Sequence, residues 1–357
     1  MRIEEARGKL DELGLDGIIF TNLINIRYLC GYTGSNGILL VTGKHAVFFT
    51  DFRYKSQAPA EVKGAEVVVP DNSELLSAMA ERRELDRMET VGFEENISYS
   101  HLQKMKAKLP EGLTWEPVED FMGELRASKE EWEIEKIQVA IACAERALLE
   151  SLPELRPGIV EREFAAELEY RMRKGGAEKP AFDTIVVSGP RSALVHGIAG
   201  DRKIQSGDFV TIDYGARVDG YSSDITRTFI MGEPSKKQRE IYELVYNAQA
   251  AAIEAARPGI PQKELDAVAR DMISEAGYGD YFGHGLGHGL GLLVHDTPRV
   301  SRKSDQPLPE KAVITIEPGV YLPDFGGVRI EDDILLEEGG CRVLTSLPRK
   351  LDDIIIE

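Results

Sequence analysis

A short turn sequence occurs twice in this chain, and the segments around it recur in the same order. Arg156-Pro-Gly-Ile159 returns as Arg257-Pro-Gly-Ile260, 101 residues later. Each copy follows a long helical pattern, 129–152 or 236–256, and precedes a second one, 161–174 or 262–275. The second patterns end at Gly175-Gly176 and at Gly277. Each copy then reaches a histidine, His196 or His295, at 37 and 35 residues beyond the isoleucine. A matched pair of helix–turn–helix–strand units implies two similar halves packed about a pseudo-twofold axis. Clefts between such halves are favoured binding sites.

The repeat occupies only part of the 357 residues, more than one hydrophobic core usually spans, so a separate N-terminal domain is expected. Residues 1–125 alternate strand patterns (17–22, 37–42, 46–51, 65–70 and 91–95) with amphipathic stretches (3–13, 73–83 and 100–109), which reads as an α/β layered domain. A hinge near 125–130 leads to the second domain, 126–357, and Ser128 with Glu131 reads as a capping box opening its first helix. No apolar run approaches the ~18 residues a membrane helix needs. The first twenty residues mix charged and apolar side chains, unlike a signal peptide, so a cytoplasmic protein is expected. A net charge of −18 repels phosphate backbones and argues against nucleic-acid partners. Cys30, Cys143 and Cys341 are odd in number and form no CxxC pair, which fits a reducing compartment and excludes a thiolate zinc site.

Histidine is concentrated in one place. Three of the six histidines fall in His284-Gly-Leu-Gly-His288-Gly-Leu-Gly-Leu-Leu-Val-His295. Glycine costs a helix about 1 kcal/mol relative to alanine at each position, so an i,i+4 helical pair is the poorer reading. A glycine-rich strand or loop is the better one, because glycine lets backbone pass close to a ligand or another segment.

Two acidic hairpins supply the other candidates. Phe209-Val-Thr-Ile-Asp213 and Tyr221-Ser-Ser-Asp224 flank a turn at Asp219-Gly220. Centring the hairpin there sets Asp213 opposite Thr226, with Asp224 its diagonal neighbour, about 7–8 Å away at the backbone. Ionised aspartate inside this apolar pattern is costly without a partner. In the second hairpin, Val313-Ile-Thr-Ile-Glu317 runs into Pro323-Asp-Phe-Gly-Gly327 and returns as Val328-Arg-Ile-Glu331. Folding it symmetrically about Asp324 sets Glu317 opposite Glu331, a repulsion that a bound cation removes. Arg329, two residues from Glu331, offers a local countercharge. Four carboxylates and one imidazole suit hard or borderline divalent ions, and four negative charges match two dications. A water held between such ions is a strong nucleophile near neutral pH.

These residues resemble the family of Xaa-Pro dipeptidases (prolidases), aminopeptidase P and methionine aminopeptidase. The resemblance runs nearly end to end and implies an α/β (α+β) architecture, a creatinase-like N-terminal domain before a "pita-bread" domain. Tyr28-Leu-Cys-Gly-Tyr-Thr-Gly34 and Phe48-Phe-Thr-Asp51-Phe-Arg-Tyr54 look like the N-terminal domain of the proline-specific branch, which methionine aminopeptidases lack. The resemblance implies that Asp213 chelates one metal, that His288 and Glu317 bind the other, and that Asp224 and Glu331 bridge them. Glu317 would also shuttle the proton of the attacking water. His196 and His295 would position the scissile carbonyl and stabilise its oxyanion, with His284 lining the site. Phe182 and Ile185 match positions that cradle the proline ring, Arg299 one that meets a substrate carboxylate, and Arg329 one that supports the site.

The implied function is hydrolysis of the Xaa-Pro bond of dipeptides or short peptides, with aminopeptidase P activity on longer peptides as the alternative. The expected cofactors are two divalent ions per chain, Mn2+ or Co2+ ahead of Zn2+, and the expected assembly is a homodimer. Peptides with proline at the second position are the partners, with no nucleic acid and no membrane. A metal-free hydrolase of the creatinase branch and a catalytically silent binding protein share the fold, but both go with loss of ligands, and all five are present here.

Overall fold

The repeated Pro-Gly turn makes the same connection in both halves of the second domain. In the computed structural model, which describes residues 2–71, 74–86, 88–119 and 121–357, Gly158 and Gly259 take the left-handed step, at φ 97° and 82°. The Gly158 N–H donates to the Ile204 carbonyl at 2.8 Å, and Ile204 N–H returns a bond to Ile159 at 2.9 Å. Gly259 and Ile260 repeat both bonds with Leu308, at 2.8 and 2.9 Å. Isolated antiparallel bridges follow at Val160–Lys203 and Pro261–Pro307. The helices Glu161–Lys174 and Gln262–Glu275 then begin, each packed on the long helix before it, Glu131–Ser151 or Lys236–Ala255. The spacing that separates Ile204 from Leu308 also separates Asp213 from Glu317. The repeat therefore superposes a carboxylate of one acidic hairpin on a carboxylate of the other.

The chain divides into two compact units, Met1–Leu125 and Arg126–Glu357. In the second, each half contributes a sheet. One runs in the order Ile355–Ile356, Ile225–Met231, Phe209–Tyr214, Ile185–Ser188, and the other Asp296–Val300, Gly287–Gly289, Val313–Ile316, Asp332–Glu337, Gly340–Val343. Fully buried Val210, Ile212, Ile314 and Ile334 form part of the core beneath them. In the N-terminal unit the described residues form a sheet in the order Glu66–Val68, Ala46–Phe49, Ile38–Thr42, Gly17–Phe20, Thr90–Glu94, Thr114–Val118. Helices Arg2–Leu13, Leu23–Cys30, Leu75–Ala80 and Tyr99–Lys108 lie in the same unit, and Ile19, Leu40, Phe49, Val91, Met79 and Met105 share its core.

Several elements depart from sequence expectation for identifiable reasons. The strand expected over 17–22 stops at Phe20, because Asn22 instead accepts the Ile24 N–H and caps an unforeseen helix that closes at Gly31. The strand Thr114–Val118 carries Pro117 and was not expected; its place at the sheet edge tolerates the missing donor. The expected helix start at Ser73 lies outside the described residues. The capping box sits two residues late, at Glu130 and Glu133 rather than Ser128 and Glu131. Backbone bonding holds the chain extended through Lys129, whose N–H donates to Lys311, and the Ser128 hydroxyl bonds the Glu310 carbonyl instead.

Added methyl groups at Gly158 and Gly259 would meet nothing within 4 Å, so alanine there costs only the left-handed backbone. Gly158→Ala and Gly259→Ala are each expected to lower the unfolding free energy of the C-terminal unit by about 1–2 kcal/mol. Urea titration followed by circular dichroism measures this. A clear loss at one site and none at the other would show that the two turns are not equivalent.

Candidate metal centre

The two hairpins fold in the registers their turns specify. Asp219 and Gly220, both at positive φ, turn the first, so that Val218 pairs with Tyr221 and Asp213 with Thr226. Asp224 lies in the break between Tyr221–Ser222 and Ile225–Met231. The second is symmetric about Asp324, as the pairs Val313–Leu335 and Gly319–Arg329 show. Continuing that register sets Glu317 opposite Glu331, where the ribbon leaves one sheet and enters another. There the main-chain groups find other partners: Glu317 N–H donates to Leu286, and Glu331 N–H donates to Thr226 of the first hairpin at 3.2 Å. The split frees both carboxylates from the ladder and ties the hairpins to each other.

His288 arrives on the strand Gly287–Gly289, between Asp296–Val300 and Val313–Ile316. A side chain at Gly287 would overlap the Thr315 carbonyl, so glycine is what allows this close passage. The His288 Nδ1 lies 3.1 Å from the Gly289 carbonyl, which can only accept. This assigns the proton to Nδ1 and leaves the Nε2 lone pair facing Asp224 Oδ2 and Glu317 Oε1, each at 3.5 Å. Ligand atoms of Asp224, His288 and Glu331 all lie within 4.8 Å of one another.

Asp213, Asp224, His288, Glu317 and Glu331 all line one cavity of about 700 Å3. The same cavity is lined by Phe182, Ile185, His196, His284, His295, Arg299 and Arg329. His295 packs at a tilt against His288, with ring centroids 4.3 Å apart. Arg299 is exposed and sits opposite His288 in the strand register. Phe182 is half-buried and Ile185 buried. A larger cavity, about 910 Å3 around Asp16, His45 and Arg82, lies in the N-terminal unit. Its Arg82 is paired with Glu66 and Glu84, and among the described residues its carboxylates and His45 form no cluster tight enough to hold an ion, unlike Asp224, His288 and Glu331.

The electrostatics are those of anions held together against their repulsion. Burial, then Glu331, Asp213, Asp333 and Glu317, push the Asp224 carboxyl well above its ordinary range. Burial and Glu331 do the same to Glu317. Glu331 is pushed up to about 8 by burial and Asp213, against the pull of Arg329 and a 2.7 Å bond from the Thr226 hydroxyl. Burial and neighbouring His295 bring His288 down to about 3, so this imidazole is uncharged and ready to ligate. Asp213 Oδ1 is buried and accepts no hydrogen bond among the described residues. An orphaned carboxylate oxygen beside three carboxyls pushed toward neutrality is what a cation would resolve, and the oxygen-rich donor set fits divalent ions.

Arg329 turns to the other ribbon. It acts on Glu331 as the expected countercharge, while its direct bonds go to Asp213 Oδ2 at 2.5 Å, to the Tyr321 hydroxyl at 3.0 Å and to Thr226 Oγ1 at 3.1 Å. Because the Gly285 carbonyl holds the ring proton on His284 Nδ1, the Tyr321 hydroxyl donates onward to His284 Nε2, 2.8 Å away. His284 Nδ1–H then bonds the Gly285 carbonyl at 2.8 Å. Both nitrogens of His284 thus face protein groups, and burial followed by Arg329 lowers it to about 4. Sequence reasoning missed Tyr321, Thr226 and Thr315, whose hydroxyl lies 3.4 Å from Glu317 Oε1. All three sit at even spacing from a ligand on its own ribbon, and that periodicity was the available signal.

Metallopeptidase family M24 matches residues 135–338, and the creatinase/prolidase N-terminal domain matches residues 2–128. The Xaa-Pro dipeptidase of Pyrococcus furiosus is 43% identical, covering 98% of this chain and 99% of the relative. Among solved structures, the Xaa-Pro dipeptidase from Bacillus anthracis is 42% identical with a TM-score of 0.96, covering 99% of both chains. The X-Pro aminopeptidase from Thermotoga maritima is 41% identical with a TM-score of 0.89, covering 98% of this chain and 100% of its own. Matched by the catalytic profile over more than half its length, and by these relatives end to end, the chain belongs to metallopeptidase family M24 and is a hydrolase.

Proposed function

We propose that this chain is an Xaa-Pro dipeptidase that holds two divalent ions, Mn2+ or Co2+ ahead of Zn2+, between its acidic hairpins. The carrying observation is the single cavity in which the orphaned Asp213 oxygen, three further carboxylates and His288 converge beside two exposed imidazoles. Asp213 would chelate one ion, His288 and Glu317 the other, with Asp224 and Glu331 shared between them. Bound ions supply the Lewis acidity that makes water nucleophilic near neutral pH.

The chain's own residues supply the rest. Glu317, its carboxyl already displaced upward, takes the proton of the attacking water and returns it to the leaving proline nitrogen. His196 and His295 orient the scissile carbonyl and donate to the oxygen as it becomes negative, and partial desolvation within the cavity, followed by Arg299, keeps His295 below its ordinary value. Phe182 and Ile185 receive the proline ring. Arg299 meets the substrate's terminal carboxylate, which favours dipeptides over longer peptides. Arg329 holds Asp213 in place and does not reach the substrate. An Xaa-Pro bond is a tertiary amide without an N–H, so a closed apolar pocket replaces the donor that general peptidases use.

Among the described residues no helix is long and apolar enough to cross a membrane. We place the protein in the cytoplasm, in keeping with its free cysteines, Cys30 and Cys143 buried and Cys341 half-buried. Assembly as a homodimer belongs to the same proposal and rests on the family resemblance; light scattering on the purified protein tests it.

Turnover of Ala-Pro against Ala-Pro-Ala, with Mn2+ supplied, decides between dipeptidase and aminopeptidase P. Dipeptide preference, two ions per chain and loss of activity with chelator are expected, and failure to cleave either peptide ends the reading. Asp224→Asn should abolish turnover together with normal metal content. His295→Ala should lower kcat by about 10²–10³-fold while leaving metal content near wild type. Metal loss in that variant would make His295 a ligand. Because Glu331 titrates near 8 and Asp224 and Glu317 also lie high, the metal-free site holds protons at pH 7 that cations must expel. Calorimetry in buffers of different ionisation enthalpy should therefore find about one or more protons released per chain at pH 7, and fewer as pH rises through 8. Release that ignores pH would place the protons elsewhere.

A further inference from the structure

His196 is exposed, and its ring makes no hydrogen bond within the protein among the described residues. Its position therefore depends on the backbone segment that carries it, residues 189–200, which includes the exposed Leu194 and Ile198. This segment starts beside the strand Ile185–Ser188 and closes back on the start of the helix Glu161–Lys174. Between its two ends lies one wholly buried carboxylate, Glu161.

All the polar contacts of that carboxylate go to the segment or to its base. Oε1 accepts the Ser188 N–H at 2.8 Å and the Ser188 hydroxyl at 2.7 Å. Oε2 accepts the Gly200 N–H at 3.0 Å and Arg191 Nε at 3.2 Å. Arg191 extends the tie by donating from Nη2 to the Ile198 carbonyl at 2.6 Å. One oxygen thus holds the chain entering the arch and the other holds the chain leaving it. The second half of the repeat has Gln262 at this place. There His295 is anchored differently, by Asp296 in a buried pair with Arg126.

We infer that Glu161 is a positioning residue for the hydrolytic reaction, closing the 189–200 arch so that His196 faces the scissile carbonyl. The inference rests on the role proposed above for His196. Glutamine in its place offers one acceptor oxygen where four donors converge, so one end of the arch must let go. Displacement of the order of 1 Å at a group that orients substrate lowers turnover by about a hundredfold.

A double-mutant cycle on the full-length, Mn2+-loaded enzyme with Ala-Pro as substrate tests this. Glu161→Gln is expected to lower kcat at least tenfold in the wild-type background, with KM nearly unchanged, and to have no further effect in His196→Ala. Arg191→Gln, which removes one tie and leaves the carboxylate in place, should give a smaller drop with the same non-additivity. In metal-free protein, hydrogen exchange of 189–200 should quicken in Glu161→Gln while 284–295 exchanges as before. Equal losses in both backgrounds, an unchanged kcat, or unchanged exchange in the arch would each overturn the assignment. Wild-type turnover of Ala-Pro, measured first, reports separately on the proposed function; its absence overturns both.

Discussion

The site depends on keeping mutually repelling carboxylates together in a place with little water. Asp213, Asp224, Glu317 and Glu331 would separate or neutralise if left alone, and the upward displacement of three of them records that tension. Position is imposed from behind, by main-chain bonds rather than by the acids themselves. Wholly buried Arg227 donates to the carbonyls of Glu331 and Thr226 at 2.6 and 2.9 Å and pairs with Asp332 at 2.7 Å. Asp333 accepts the Asp224 N–H at 3.2 Å. Glu331 and Asp224 are thus pinned through their backbones by neighbours that are themselves buried, so their carboxylates are placed before any ligand arrives.

This arrangement explains why the site is shared between halves. One hairpin can present two carboxylates on one face, and four require a second. The repeat supplies it, placing Asp213 and Glu317 at equivalent positions while Glu331 N–H to Thr226 joins the ribbons directly. A cation held between them would bond to both halves at once and to nothing so organised in the unfolded chain. Ligation of that kind adds about 2.7 kcal/mol at a hundredfold excess over Kd, so catalytic competence and cohesion of the two halves are linked.

Those features were legible in the sequence to the extent that local rules set them. The helices at 161–174 and 262–275 are bounded by Pro-Gly and glycine signals, and both hairpin registers follow from their turns, because a turn fixes every pair along a two-stranded ribbon. Where tertiary bonds override local preference, the reading slipped. Lys129 is held extended by Lys311, far along the chain, and the helix cap moved accordingly. The direct hydrogen-bond partner of Arg329 was hidden for the same reason, although its charge does act on Glu331. Glu331 is its neighbour in sequence, whereas Asp213, 116 residues away, is the one it reaches.

Glu161 marks the limit of such reading. As the first residue of a helix it needs no explanation beyond a favourable charge at the N-terminus, and its spacing from Ser188, Arg191 and Gly200 follows no period. Only the fold shows that its side chain is buried and divided between two ends of one arch. The comparison with Gln262 then acquires meaning. A repeat conserves the geometry of its turns because backbone bonds require it, while side chains at equivalent places are free to diverge. In the second half the histidine directly precedes the sheet strand Asp296–Val300, beside Asp296 and its buried arginine, and an uncharged residue suffices at the helix start. In the first half the histidine sits on an arch outside any sheet, and a charged acceptor takes over the work of the missing ladder.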